Sequence, residues 1–162
     1  MTARVTIDRN THVPTPADGL IKAWTTETLA ASSRGKVEYP EICIRITDKE
    51  EAAHFNKVYR SKTQATNVLS FPADLPPGTP SGLLGDLVIC AQVVQQEAKL
   101  QNKSEEAHWA HMVIHGVLHL LGHDHQVPTD ADAMEALEVE LLERFSFPNP
   151  YELTESLEGA QP

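Results

Sequence analysis

Three histidines near the end of one apolar segment have the spacing of a metal site. His115 and His119 are four residues apart, so on a helix they share one face with their Cβ atoms roughly 6 Å apart. At that separation two imidazoles reach one ion at about 2.0–2.1 Å each. Gly122 allows a left-handed turn that ends the helix, after which His125 supplies a third nitrogen. Three protein ligands leave one tetrahedral position open, as in catalytic zinc sites, so we predict one zinc ion per chain.

Such a site is suited to hydrolysing a substrate that develops negative charge in its transition state. Zinc on three imidazoles lowers the pKa of its water to about 7, so no strong protein base is needed. A phosphodiester fits, and Arg60 is the candidate cation for its oxygens, because guanidinium matches phosphate bidentately. Two alternatives stay open here. Arg60 is also placed to cap the end of its own helix, and nickel, copper or iron accept the same ligands.

The same stretch argues against peptidase activity. Its spacing, H-x-x-x-H-x-x-G-x-x-H, matches the metzincin peptidases except at the second position. Those enzymes require glutamate there as the general base, and this chain has Gly116. The metal ligands are retained while the peptidase base is missing.

Three further histidines accompany the predicted ligands. His108 and His111 continue the stripe of His115 and His119 toward the start of the helix. We expect them to hydrogen-bond to backbone or solvent at the mouth of the helix, with a role behind the metal ligands as the alternative. His123 is expected to be a loop residue rather than a ligand.

Composition indicates one globular domain without a basic surface. The chain has 162 residues, 41% of them hydrophobic, and a net charge of −10, which gives no general attraction to nucleic acid. Any RNA-binding role must therefore depend on a local basic patch. Cys43 and Cys90 lie in strand-like runs and are expected to be buried, reduced thiols. With no signal peptide and no apolar run of about 20 residues, we expect a cytoplasmic protein without membrane contact.

Periodicity and turn residues predict the elements that position these side chains. Apolar alternation predicts four strands, at 5–8, 37–47, 67–71 and 83–90. Helical spacing predicts helices at 17–34, 49–60, 91–100, 104–121 and 129–145. The segment 72–82 contains four prolines and two glycines and is expected to be a loop.

The fourth helix is the centre of the predicted architecture. It is apolar nearly all round apart from its histidine stripe, which indicates burial. We therefore predict an α+β fold, with a small mixed sheet of about four strands packed by helices and a buried central helix carrying the metal site. Residues 1–151 are expected to form a single metal-dependent hydrolase domain, and residues 152–162 a disordered tail.

Several motifs in order resemble one known family. The run from His115 to His125 resembles the signature of the YbeY family of bacterial rRNA-maturation endoribonucleases. The segments 59–62, 66–72 and 85–90 fit the same family, and the resemblance covers roughly residues 40–151. Position 123, often tyrosine in that family, is histidine here.

The resemblance implies a single-strand-specific metallo-endoribonuclease acting in 16S rRNA 3′-end maturation and ribosome quality control. It places zinc on His115, His119 and His125, and a functionally important arginine at Arg60. The implied partners are single-stranded RNA, rRNA and the small ribosomal subunit, not DNA. Two alternatives stay open, namely a ribosome-assembly adaptor with a structural metal and an atypical peptidase. The best local basic cluster is Lys57, Arg60 and Lys62, with possible additions at Lys22, Arg34, Lys36 and Arg45.

Overall fold

The computed structural model describes residues 3–32, 37–60, 66–76, 81–123 and 128–151. These parts of the chain contain four strands and five helices, which confirms the predicted α+β class. In chain order the elements are β1 (Arg4–Asn10), α1 (Asp18–Ala31), β2 (Glu41–Thr47), α2 (Lys49–Arg60), β3 (Val68–Pro72), β4 (Leu83–Cys90), α3 (Ala91–Leu100), α4 (Glu105–Leu120) and α5 (Pro128–Arg144).

The strands form one mixed sheet in the order β1-β2-β4-β3. β1 pairs with β2 in parallel, with Val5 opposite Ile42, and β2 pairs with β4 in parallel, with Ile44 opposite Leu87. β3 is antiparallel to β4 and lies at the edge of the sheet. An edge position tolerates Pro72 at the end of β3, because proline has no N–H to donate to a ladder.

The central helix α4 is buried, as its composition predicts. Ser104 caps its first turn, its Oγ accepting the Ala107 N–H at 3.1 Å, and Glu105 and Glu106 complement the helix dipole. The apolar side chains of α4 pack in one core cluster with alternate residues of β2 and with β4. Ser70 on β3 donates a hydrogen bond to the carbonyl of Gly116 at 3.1 Å. The sheet therefore holds α4 along the length that carries the histidines.

Two strand boundaries differ from the prediction by more than one residue. β2 begins at Glu41 rather than at residue 37, because Pro40 cannot donate to a ladder. The carbonyl of Pro40 accepts a hydrogen bond from the Arg4 N–H at 2.8 Å, and the Glu41 N–H donates to the carbonyl of Gly82, also at 2.8 Å. β1 continues to Asn10, beyond its apolar residues, because its ladder with β2 extends to the pair Asn10 and Thr47.

Other sequence expectations have direct outcomes. Cys43 and Cys90 are free thiols, as predicted. Cys90 is also buried, as predicted, and burial raises its pKa, whereas Cys43 is only partly buried. Within the described ranges no helix combines the length and apolar character needed to cross a lipid bilayer. The expected tail, residues 152–162, lies outside the described residues.

Candidate metal centre

A row of histidines on α4 forms the centre of the site. His108, His111, His115 and His119 follow one another along one face, with successive ring centroids 6.3, 6.2 and 4.6 Å apart. The last two are closest, and their Nε2 atoms lie 3.2 Å apart. The spacing of four residues therefore brings His115 and His119 together as predicted.

The distance between these two nitrogens suits a shared cation. Two ligands of a tetrahedral zinc, each about 2.0–2.1 Å from the ion, lie about 3.3–3.4 Å from each other. The observed Nε2···Nε2 distance of 3.2 Å is close to that value. Both side chains are only partly buried, so an ion held between them would be open to solvent on one side. Imidazole pairs of this kind suit zinc, copper, iron or nickel by ligand chemistry alone.

A buried carboxylate lies behind His115. Glu138 on α5 is 1% exposed, and its Oε2 lies 3.1 Å from Nδ1 of His115 and 2.7 Å from Nε2 of His111. The Tyr151 hydroxyl donates a hydrogen bond to the other oxygen, Oε1, at 2.8 Å. Burial alone raises the pKa of Glu138, but hydrogen bonds from His111 and His115 outweigh it and hold the pKa at about 2. Glu138 is therefore ionised at neutral pH.

The ionised carboxylate determines which ring nitrogens carry protons. A carboxylate only accepts hydrogen bonds, so Nδ1 of His115 and Nε2 of His111 are the donors. Burial lowers the pKa of His111, against the opposing effect of Glu138, and this favours a neutral ring. In a neutral His115 with its proton on Nδ1, Nε2 is the unprotonated nitrogen that points toward His119.

A second grouping of potential ligands overlaps the first. One ligand atom from each of His111, His115 and Glu138 lies within 4.8 Å of the other two, so these residues form a possible metal site. Sequence reasoning missed Glu138 and assigned no ligand role to His111. The available signal was an acidic residue in the apolar stripe of α5, four residues after Met134 and three before Leu141.

The prediction that His108 and His111 bond to backbone or solvent is wrong. Both side chains are buried and bond to carboxylates on other helices. His108 Nε2 lies 2.9 Å from Glu97 on α3, which also accepts a hydrogen bond from Asn67 at 3.1 Å. Burial tends to raise the pKa of Glu97, but these two hydrogen bonds lower it overall. The carboxylates satisfy the Nε2 atoms of these buried imidazoles, whereas the two Nδ1 atoms have no hydrogen-bond partner among the described residues.

The end of α4 has the predicted turn. Gly122 has φ +96°. Its N–H donates to the carbonyl of His119, and the N–H of His123 donates to the carbonyl of Leu118, both at 3.0 Å. This is the hydrogen-bond pattern of a Schellman motif, which reverses the chain after a helix. His123 follows in the loop, as expected, but is buried, and its Nε2 lies 3.0 Å from the Ser32 hydroxyl at the end of α1.

We expect Gly122→Ala to lower the free energy of unfolding by about 1–2 kcal/mol, because a Cβ is strained at this positive φ. Urea unfolding followed by circular dichroism measures the change. Gly19→Ala is the matched control, since Gly19 lies in α1 with no atom near the added Cβ, and it should be neutral or stabilising. Equal stability of Gly122→Ala and the wild type would contradict the assigned turn.

Two residues predicted for the site, His125 and Arg60, lie wholly or partly outside the described part of the chain. His125 falls within residues 124–127, and the side chain of Arg60 is likewise outside the described part, although α2 ends at that residue. Their roles stay predictions. Of the suggested basic additions, Arg45 forms ion pairs with Asp8 and Glu51 across the sheet surface. Two carboxylate partners offset its charge, so Arg45 is a poor candidate for binding phosphate.

Gly116 does not lie on the histidine face of α4. A Cβ added at this position would lie 2.9 Å from Leu87 Cδ2 and 3.1 Å from Val68 Cγ2, both on the sheet. The position therefore packs against β3 and β4, where only glycine fits without displacing side chains.

Comparison with known proteins gives a consistent family. Residues 6–146 match the family model described as Endoribonuclease YbeY. Endoribonuclease YbeY from Methylococcus capsulatus is 46% identical over 147 residues, covering 91% of this chain and 94% of that protein. The solution structure of TM1509 from Thermotoga maritima shares the fold, with a TM-score of 0.57 and 20% identity over 89% of this chain and 91% of the other.

The sheet and helices have the fold of TM1509, and in this chain His111, His115 and Glu138 form a possible metal site. The match over residues 6–146 and the 46% identity together define the class, which is hydrolases acting on RNA. The chain belongs to the YbeY endoribonuclease family.

Proposed function

We propose that the protein is a zinc-dependent endoribonuclease specific for single-stranded RNA. The observation that carries the proposal is the pair of Nε2 atoms of His115 and His119, which lie 3.2 Å apart. His125 is the proposed third ligand, because the left-handed turn at Gly122 reverses the chain three residues before it. A third imidazole would complete a site with one open position.

Each residue has a separate task in this proposal. When bound, zinc on three imidazoles supplies a Lewis acid that activates water near neutral pH. Arg60 would bind the non-bridging oxygens of the scissile phosphate, where negative charge increases in the transition state. Glu138 is not the general base, because it is buried and already accepts three hydrogen bonds.

The biological assignment goes further than the family and is part of the proposal. We propose that residues 1–151 act as one hydrolase domain in the cytoplasm, with rRNA on the small ribosomal subunit as substrate and 16S rRNA 3′-end maturation and ribosome quality control as the process. The net charge of −10 requires the RNA to bind at a local cluster, for which Lys57, exposed on α2, and Arg60 are candidates.

Cleavage of RNA by zinc-loaded protein tests this function. We expect single-stranded RNA to be cut, and a duplex of the same sequence and unstructured casein to remain intact. Arg60→Ala should reduce the rate about 10²–10³-fold, the usual cost of removing one preorganised contact to developing charge. Its zinc content should not change, because Arg60 is not a ligand.

Arg144→Ala is the control, since Arg144 is a surface residue paired with Glu27 and Glu140. All variants are purified in parallel, so that a contaminating nuclease would give equal rates throughout. Equal rates for the wild type and Arg60→Ala would contradict the role of Arg60. Cleavage of casein instead of RNA would support a peptidase, and folded zinc-loaded protein inactive on both would favour the assembly adaptor.

A further inference from the structure

Glu138 is an unusual residue for its position in the fold. It lies on the buried face of α5 with Met134, Leu141 and Leu142, all less than 2% exposed. A carboxylate is rarely kept in such surroundings unless several donors compensate for the loss of water. The partners of its two oxygens therefore indicate what this buried side chain does.

Three donors converge on this one carboxylate. Oε2 accepts from His111 and His115, and Oε1 accepts from the Tyr151 hydroxyl. The donors come from α4 and from residue 151 beyond α5, so the carboxylate joins two separate parts of the chain. With both oxygens engaged, Glu138 has a defined orientation relative to the ring of His115.

We propose that Glu138 is a positioning residue for the cation site: it accepts the Nδ1–H of His115 and so directs the unprotonated Nε2 toward the cation shared with His119. This inference rests on the proposed function. A carboxylate behind a ligating imidazole fixes the tautomer and ring orientation and makes the ligand more basic. Tyr151 holds the carboxylate in turn.

The competing arrangement places a cation among His111, His115 and Glu138 themselves. The distances favour hydrogen bonds, because Oε2 lies only 2.7 Å from Nε2 of His111, against about 3.3 Å between two ligands of one tetrahedral zinc. The His115 Nδ1···Glu138 Oε2 distance of 3.1 Å and the Nε2···Nε2 distance of 3.2 Å between His115 and His119 both lie nearer that spacing, so the short contact with His111 is the one that argues against the competing arrangement. The two arrangements also predict different variants to lose zinc.

Zinc affinity in variants of the full chain is the first measurement, by competition with a chelating dye. Glu138→Met keeps the volume but removes the acceptor, and we expect a zinc Kd about 10–100-fold higher. Glu138→Gln retains an acceptor oxygen for the histidines and should recover part of this loss. Tyr151→Phe should have a smaller effect. Glu143→Met, an exposed glutamate of α5, is the matched control and should bind zinc as the wild type does.

The tautomer of His115 is the second measurement, by ¹⁵N NMR of the imidazole nitrogens in zinc-free protein. We expect the Nδ1–H form in the wild type and a gain of the Nε2–H form in Glu138→Met. A merely structural role would change the unfolding midpoint but neither the tautomer nor the Kd. If Glu138→Met does not fold, Glu138→Gln and Tyr151→Phe still provide both readouts.

The outcomes separate this inference from the function on which it rests. Unchanged Kd and tautomer in the Glu138 variants, with normal RNA cleavage by the wild type, would overturn the positioning role alone. Zinc binding that survives His119→Ala but not Glu138→Gln would overturn it by placing the ion among His111, His115 and Glu138. Failure of the wild type to bind zinc would overturn the proposed function.

Discussion

Replacing His119 with alanine is expected to abolish zinc binding and to reduce RNA cleavage to background. The Nε2 atoms of His115 and His119 lie 3.2 Å apart, so one of two adjacent ligands is removed while the other remains held by Glu138. The loss should exceed the roughly 10–100-fold that removing a residue behind a ligand costs. Isothermal titration with zinc and a gel assay on single-stranded RNA measure the two effects.

Folding must be shown to survive in this variant. His119 is partly exposed at the last turn of α4, so the truncation leaves no closed cavity and the zinc-free variant should unfold near the wild-type midpoint. His54→Ala, which removes an exposed histidine from α2, controls for loss of any imidazole. A folded His119→Ala protein that cleaves RNA at the wild-type rate would rule out a shared cation on this pair.

Local patterns in the sequence were sufficient to predict the helices and strands and part of the metal site. The four-residue spacing of His115 and His119 depends only on helix geometry, and the left-handed turn at Gly122 depends on a residue without a Cβ. The apolar residues of α4 predicted its burial, because a helix that is apolar nearly all round needs cover on most sides. Each of these inferences uses residues within a few positions of one another.

Contacts between residues far apart in the sequence could not be predicted from such local patterns. Glu138 meets His111 across 27 positions, and the pattern of α5 alone did not show which neighbour its carboxylate would find. The contact between His108 on α4 and Glu97 on α3 was not predicted for the same reason, because the two residues lie on different helices. The strand order β1-β2-β4-β3 likewise depends on crossovers that periodicity does not specify. Long-range partners matter most for buried polar side chains, because burying a polar group without a hydrogen-bond partner costs much free energy.

Introducing glutamate at position 116 should unfold the protein rather than create a peptidase. A Cβ there would already lie 2.9 Å from Leu87 and 3.1 Å from Val68, so a full side chain must displace the sheet. The new carboxylate would also be buried among apolar groups. Together these costs should remove at least about 4 kcal/mol, a large share of the roughly 5–15 kcal/mol that stabilises a typical domain. Circular dichroism and urea unfolding measure the loss.

Two companion variants separate crowding from charge. Gly116→Ala adds only the Cβ, and we expect a loss of about 1–3 kcal/mol that the better helix propensity of alanine partly offsets. Gly19→Glu places the same side chain at an exposed position of α1, where no atom lies within 4 Å of the added Cβ, and should be tolerated. A folded Gly116→Glu protein that hydrolyses casein would mean that this face of α4 reaches the cation. Since position 116 packs against Leu87 and Val68 instead, we expect no casein hydrolysis from any of the three variants.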